Sequence, residues 1–170
     1  MRLVLFRHAK SSCPYGIADH YRPLSKSGRR ASKQMGKYMA EERLTPDQAI
    51  VSTASRTQET WYLARLGFKG EIVCRSDKRA YDASADTLLE IIRETPNEVR
   101  NLIVVGHNPG LWDLGLQLIS DAKSRDHARL QRNLPTAGLV VVDFNVETWK
   151  ELSTHTGKLQ LFATPNLIGR

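Results

Sequence analysis

Two apolar runs in this sequence end in an imidazole. LVLFRHAK, residues 3–10, passes from four apolar side chains into Arg7, His8 and Lys10, and NLIVVGHN, residues 101–108, passes into His107. Between them STASRTQET, residues 52–60, follows another apolar run with Ser52 and Arg56. In open α/β sheets ligands bind beyond the carboxyl ends of the strands. If these runs are parallel strands, Arg7, His8, Ser52, Arg56 and His107 meet at one sheet edge. Guanidinium groups stay charged and match phosphate oxygens with planar, bidentate donors. An imidazole can act as nucleophile or as proton donor near neutral pH. Among arginines its charged form is repelled and its pKa falls, which leaves it neutral, as a nucleophile must be. The set points to phosphoryl transfer through a phosphorylated histidine, with no metal and no cofactor.

The elements that would position these groups alternate between strand and helix. Residues 2–6 read as a buried strand, and 26–43 as a helix capped at Ser25, with Ala31, Met35, Tyr38 and Met39 on one face. Strands follow at 48–52, 71–75, 101–106 and 138–144, with helices at 57–66, 84–95 and 110–120 between them. Gly67 and Pro96 stop two of the helices. Residues 121–133 read as a polar surface loop or short helix, TWKEL (148–152) and KLQLFA (158–163) as a strand pair at the sheet edge, and 164–170 as a loose tail. The unbroken apolar character of 101–106 suits a strand buried on both faces. Alternation of this kind predicts an α/β fold: a three-layer α/β/α sandwich around a mostly parallel sheet, folded as a single domain over 1–170.

Composition narrows the chemistry. A chain of 170 residues with 41% hydrophobic side chains can bury one substantial core, and its net charge of +7 favours anionic partners. Cys13 and Cys74 have no disulfide or zinc spacing. Neither stands six positions before an arginine, the arrangement that cysteine phosphatases need: the residues there are Asp19 and Ala80. His20, His127 and His155 lack metal-ligand spacing. There is no GKS or GKT phosphate loop, no nucleic-acid-binding motif and no apolar run long enough for a membrane span. The N-terminus is too short in apolar residues for a signal peptide, so a cytoplasmic location is expected. Lys26, Arg29, Arg30, Lys33 and Lys37 form a basic stripe, read as a solvated helix face or as a docking surface for an acidic partner.

RHAK, STASRTQET and VGHNPG (105–110), in this order and at strand ends, resemble the arginine–histidine, second-arginine and second-histidine motifs of the histidine phosphatase superfamily, the phosphoglycerate mutase-like fold. YRPLSKSG (21–28) is similar to a further motif of its short, SixA-type phosphohistidine phosphatases, and TAGLVVVDF (136–144) to the strand that closes the family's sheet. The resemblance implies that His8 is the phosphorylated nucleophile, that Arg7, Arg22 and Arg56 bind the phosphoryl oxygens, and that His107 completes the pocket. Arg22 has the alternative of a surface pair with Asp19. Ala9 stands where the family has glycine and Thr53 where proline is common. Larger members use a glutamate as proton donor; here RAYDAS (79–84) offers Asp82 as the candidate, unless it is simply a loop residue. No long insertion separates Arg56 from His107, so no cap domain is expected.

The function so implied is metal-independent phosphatase activity on phosphohistidine borne by proteins. The alternatives are a small-molecule phosphomonoesterase on the same scaffold and a non-catalytic anion-binding module. The expected partner is a phosphohistidine-bearing protein, with neither nucleic acid nor membrane. The oligomeric state stays open, with a monomer favoured.

Overall fold

The computed structural model describes residues 1–120 and 124–169. Its strands are β1 (Arg2–Arg7), β2 (Gln48–Ser52), β3 (Val73–Asp77), β4 (Asn101–Gly106), β5 (Leu139–Asp143) and β6 (Lys158–Ala163). They form one sheet in the order β3-β2-β4-β1-β5-β6. The β1–β4, β2–β4 and β2–β3 pairings are parallel, and β5 lies antiparallel between β1 and β6. The sheet is thus mostly parallel, with β5 running against the rest.

Side chains alternate across the sheet with the two-residue period of a strand. Leu3, Leu5, Ile50, Leu102, Val104, Val140 and Val142 face one core, where α3 (Ala85–Arg93) and α4 (Gly110–Leu118) pack through Leu88, Ile92, Leu111 and Leu114. Val4, Phe6, Ala49, Val51, Ile103, Val105 and Val141 face the other, covered by α1 (Lys26–Glu41) and α2 (Ser55–Ala64) through Met35, Met39, Trp61 and Ala64. Alternate faces of the same strands are therefore both buried, giving the unbroken apolar runs seen in the sequence. α1 starts where Ser25 accepts a hydrogen bond from the Gly28 N–H, and α3 where Ser84 accepts one from Thr87. α1 and α2 touch at glycine: a Cβ on Gly36 would stand 2.0 Å from the Ala64 carbonyl oxygen.

Two expectations need correction. TWKEL is not an edge strand: Trp149–Glu151 is a 3-10 turn closed by reciprocal bonds between Thr148 and Glu151. Trp149 is fully buried and donates to the Val99 carbonyl (2.6 Å), so this segment plugs a core that an edge strand would leave open. β6 pairs with β5 alone, with a register shift between Val141 and Val142. Residues 164–169 are not loose: Thr164 caps a short helix, α6 (Pro165–Ile168), against α1, with Gln34 donating to the Pro165 carbonyl. Of the polar segment 121–133, residues 121–123 lie outside the described residues, and Arg125–Arg132 forms a helix, α5, capped by Ser124. Among the described residues no helix is long and apolar enough to cross a membrane.

Candidate active site

Register brings the chemistry together. Arg7 stands opposite Gly106 in the β1–β4 ladder, and Val51 opposite Val105 in β2–β4. Arg7–His8, Ser52 and His107 therefore leave the sheet side by side. The His8 N–H donates to the Gly106 carbonyl (3.1 Å), and the His8 carbonyl accepts from Ala137 (3.0 Å), just before β5. The Ala9 N–H donates to Thr60 Oγ1 (3.0 Å) on α2. The loop after β1 is thus pinned to β4, to the start of β5 and to α2. The His8 and His107 rings lie with centroids 5.2 Å apart, 8% and 6% exposed.

The tautomer of His8 follows from its partner. Nδ1 lies 2.8 Å from the Ala9 carbonyl oxygen, which can only accept, so Nδ1 carries the proton and the lone pair is on Nε2. Burial lowers the His8 pKa from its ordinary 6.5 to about 4, against the Ala9 hydrogen bond, and Arg56, Arg7 and Arg22 repel the charged form further. His107 is lowered to about 3, again by burial first, then by His8 and Arg56. Its Nε2 lies 2.7 Å from Ser52 Oγ, while its Nδ1 is buried without a protein partner. Arg7 donates through Nη1 to the Leu134 carbonyl (2.8 Å), and its Nε is likewise buried and unpartnered. Buried polar groups are rarely left unpaired. Two of them beside two neutral imidazoles suit an oxyanion.

α2 starts at Ser55, two residues before the start read from the sequence, because Thr57 bonds back to the Ser52 and Ala54 carbonyls. Arg56 is thereby in the first turn, 8% exposed. Its Nη1 and Nη2 donate to the backbone and side chain of Asp19, at 2.8 and 3.1 Å. Arg22 is held by the Ser12 carbonyl, Ser11 Oγ and Asp19 Oδ1 (3.1 Å). Asp19 also accepts from the Tyr81 hydroxyl. That bond first, then Arg22 and Arg56, hold its carboxyl well below the usual carboxylate range. The surface pair between Arg22 and Asp19 thus forms, and Asp19 ties Arg22 to Arg56.

Asp82 does not join this group. It is exposed, in left-handed backbone (φ 51°), and lines a separate cleft with Asp86, Asp113 and Gln117. The side chain that this loop presents to the histidines is Tyr81, whose ring meets His107 edge-on at 5.5 Å. Tyr81 is the member that sequence reasoning missed. Ser52 was placed at this edge without its bond to His107, and Asp19 was read only as a surface partner of Arg22.

No family model matches the chain. An uncharacterized protein of Mycobacterium tuberculosis is 36% identical over 138 residues, covering 80% of this chain and 85% of that protein. Among solved structures, a Nakamurella multipartitia protein carrying the name of the phosphohistidine phosphatase SixA superposes with a TM-score of 0.85 at 26% identity, covering 96% of this chain and 95% of that one. An Agrobacterium tumefaciens protein carrying the same name superposes with a TM-score of 0.80 at 29% identity, covering 96% and 97%. The chain belongs to the histidine phosphatase superfamily. Within this superfamily its fold is the SixA-like form without a cap domain: between α2 and β4 the chain builds only β3, α3 and short turns.

Proposed function

We propose that this histidine phosphatase removes phosphate from phosphohistidine on another protein through a phosphoryl intermediate on His8. The observation that carries the reading is the His8 imidazole itself. It is neutral, with its proton tied to the Ala9 carbonyl, its lone pair on Nε2, and His107, Arg7 and Arg56 around it. Nε2 attacks phosphorus in line, and the phosphorus–nitrogen bond of the substrate breaks. The electron pair goes to the departing nitrogen, and the departing imidazole, already protonated on its other nitrogen, leaves neutral. His8 is then a phosphoimidazolium with its Nδ1 proton in place. Water attacks phosphorus, the bond to Nε2 breaks, and His8 returns to its starting tautomer as a water proton passes to phosphate or solvent.

Arg7, Arg22 and Arg56 spread the charge of the transferring group over its oxygens. When Ser52 donates to Nε2, the ring proton of His107 rests on Nδ1, where it can donate to the same oxygens. No enzyme acid is needed for so basic a leaving nitrogen, and the exposed place of Asp82 agrees with that. The uncapped site suits a side chain presented by a folded protein. Small phosphate esters are more often enclosed to exclude water. Both structural relatives described above carry the phosphohistidine phosphatase name.

The test is phosphate release from a phosphorylated histidine-transfer domain beside sugar phosphates. We expect turnover of the first to exceed the others and to vanish in His8→Ala. Faster turnover of sugar phosphates would move the substrate to small esters. Affinity for phosphate without any turnover would leave an anion-binding module.

A further inference from the structure

A chain of ring contacts runs from the surface to the nucleophile. Tyr21, exposed in the 3-10 turn Asp19–Tyr21, meets His20 edge-on at 5.2 Å. His20 meets Tyr81 at 4.7 Å, Tyr81 meets His107 at 5.5 Å, and His107 lies 5.2 Å from His8. The first three contacts are T-shaped, with interplanar angles of 77°, 79° and 84°. These separations and angles are those at which aromatic rings attract beyond simple burial. The far ends are fixed as well. The Tyr81 hydroxyl donates to Asp19, His20 Nε2 lies 2.9 Å from Thr53 Oγ1, and the Arg56 guanidinium sits 5.9 Å from the centre of the Tyr81 ring. Four segments distant in sequence have built a wall of rings beside the phosphoryl pocket.

Most of the polar side chains around the outer part of that wall are paired with one another. Asp19 is taken by Arg22, Arg56 and Tyr81, Thr53 by His20, and Ser52 by His107. Selecting a sugar by its hydroxyl groups needs free donors and acceptors at this mouth. What the wall offers instead is ring surface, which suits a planar group.

We propose that His20 and Tyr81 form the subsite for the leaving group, selecting phosphate carried on a planar ring over phosphate carried on an alkyl chain. The inference rests on the phosphoryl transfer to His8 proposed above and names the groups that choose among its substrates. His20 and Tyr81 pack against the substrate ring as they pack against each other and as Tyr81 packs against His107. The attacked phosphorus then lies at the inner end of the wall, next to His8.

The experiment compares kcat/KM for N-phosphoimidazole, phenyl phosphate and ethyl phosphate in the wild type, His20→Leu, Tyr81→Leu and Tyr81→Phe. Intrinsic leaving-group reactivity cancels when each variant's ratio of ring to alkyl substrate is divided by the wild-type ratio. Both leucine variants should lower this ratio roughly three- to tenfold, the range of aromatic pair contributions. Tyr81→Phe keeps the ring and loses the bond to Asp19, and should hold the ratio near the wild-type value. Equal falls on ring and alkyl substrates in the leucine variants would overturn the inference, as would a Tyr81→Phe ratio falling as far as that of Tyr81→Leu. His8→Ala separates the layers. If it keeps wild-type turnover, the reading of His8 fails and this inference with it. If turnover depends on His8 while the ratios do not move, only the leaving-group subsite is lost.

Discussion

Acidification is the sharpest perturbation of this site, because its two imidazoles are held neutral by identifiable causes. His8 is lowered from 6.5 to about 4, equivalent to roughly 3 kcal/mol between its protonation states. Burial is the largest cause and the guanidiniums of Arg56, Arg7 and Arg22 follow. At pH 5.5 an unperturbed histidine would be about one-tenth neutral. A histidine titrating at about 4 is then about 97% neutral. The assay is an NMR titration of the imidazole carbon-bound protons between pH 5 and 8, with His8→Ala and His107→Ala to assign the resonances. Neither His8 nor His107 should titrate in that interval. Arg56→Gln should raise His8 only part of the way back, because burial outweighs the charges. Stability should follow the same protons. The unfolded chain takes them up below about pH 6.5 while the folded chain refuses them down to about 4 and 3. The contribution to stability is therefore complete above pH 6.5 and is lost as the pH falls towards about 4 for His8 and about 3 for His107, by up to about 1.4 kcal/mol per pH unit for each histidine. A His8 resonance titrating near 6.5 would refute the reasoning.

Three further outcomes follow from named contacts. Asp19→Asn keeps the shape of the side chain and removes the charge that partly neutralises Arg22 and Arg56. Inorganic phosphate should inhibit this variant about three- to tenfold more strongly than the wild type, measured as Ki, and an unchanged or weaker inhibition would count against the pairing. Ser52→Ala leaves both ring nitrogens of the buried His107 without a protein partner. It should cost about 1–3 kcal/mol in denaturant unfolding and lower kcat more than it changes KM. Gly36→Ala puts a methyl 2.0 Å from the Ala64 carbonyl oxygen and should force α1 and α2 apart, at about 1–3 kcal/mol read as a drop in Tm.

The parts of the molecule written in local patterns were legible. Strand runs buried on both faces, the serine cap before α1, and imidazoles directly after β1 and β4 are all features of contiguous sequence. From them followed the parallel core of the sheet and the meeting of His8, Arg56 and His107. What failed locally was TWKEL, where alternation resembled a strand although Thr148 and Glu151 already spelled a capping box. The long-range partners were not legible. Asp19 and Tyr81 meet across 62 positions, and Ser52 and His107 across 55. Nothing in the composition of either segment names the other. Asp82 drew attention as the carboxylate in its loop, yet left-handed backbone there leaves it at the surface while the aromatic residue before it faces the histidines.

The central claim is that the phosphoryl group passes through Nε2 of His8. Mixing the protein with a 32P-labelled phosphohistidine substrate, quenching within milliseconds in alkali and mapping the labelled peptide tests it most directly. The account predicts an alkali-stable, acid-labile phosphate on the peptide that contains His8, forming and decaying at rates consistent with turnover. Phosphate release at the same rate with no label on His8, or with the label on another residue, would contradict it.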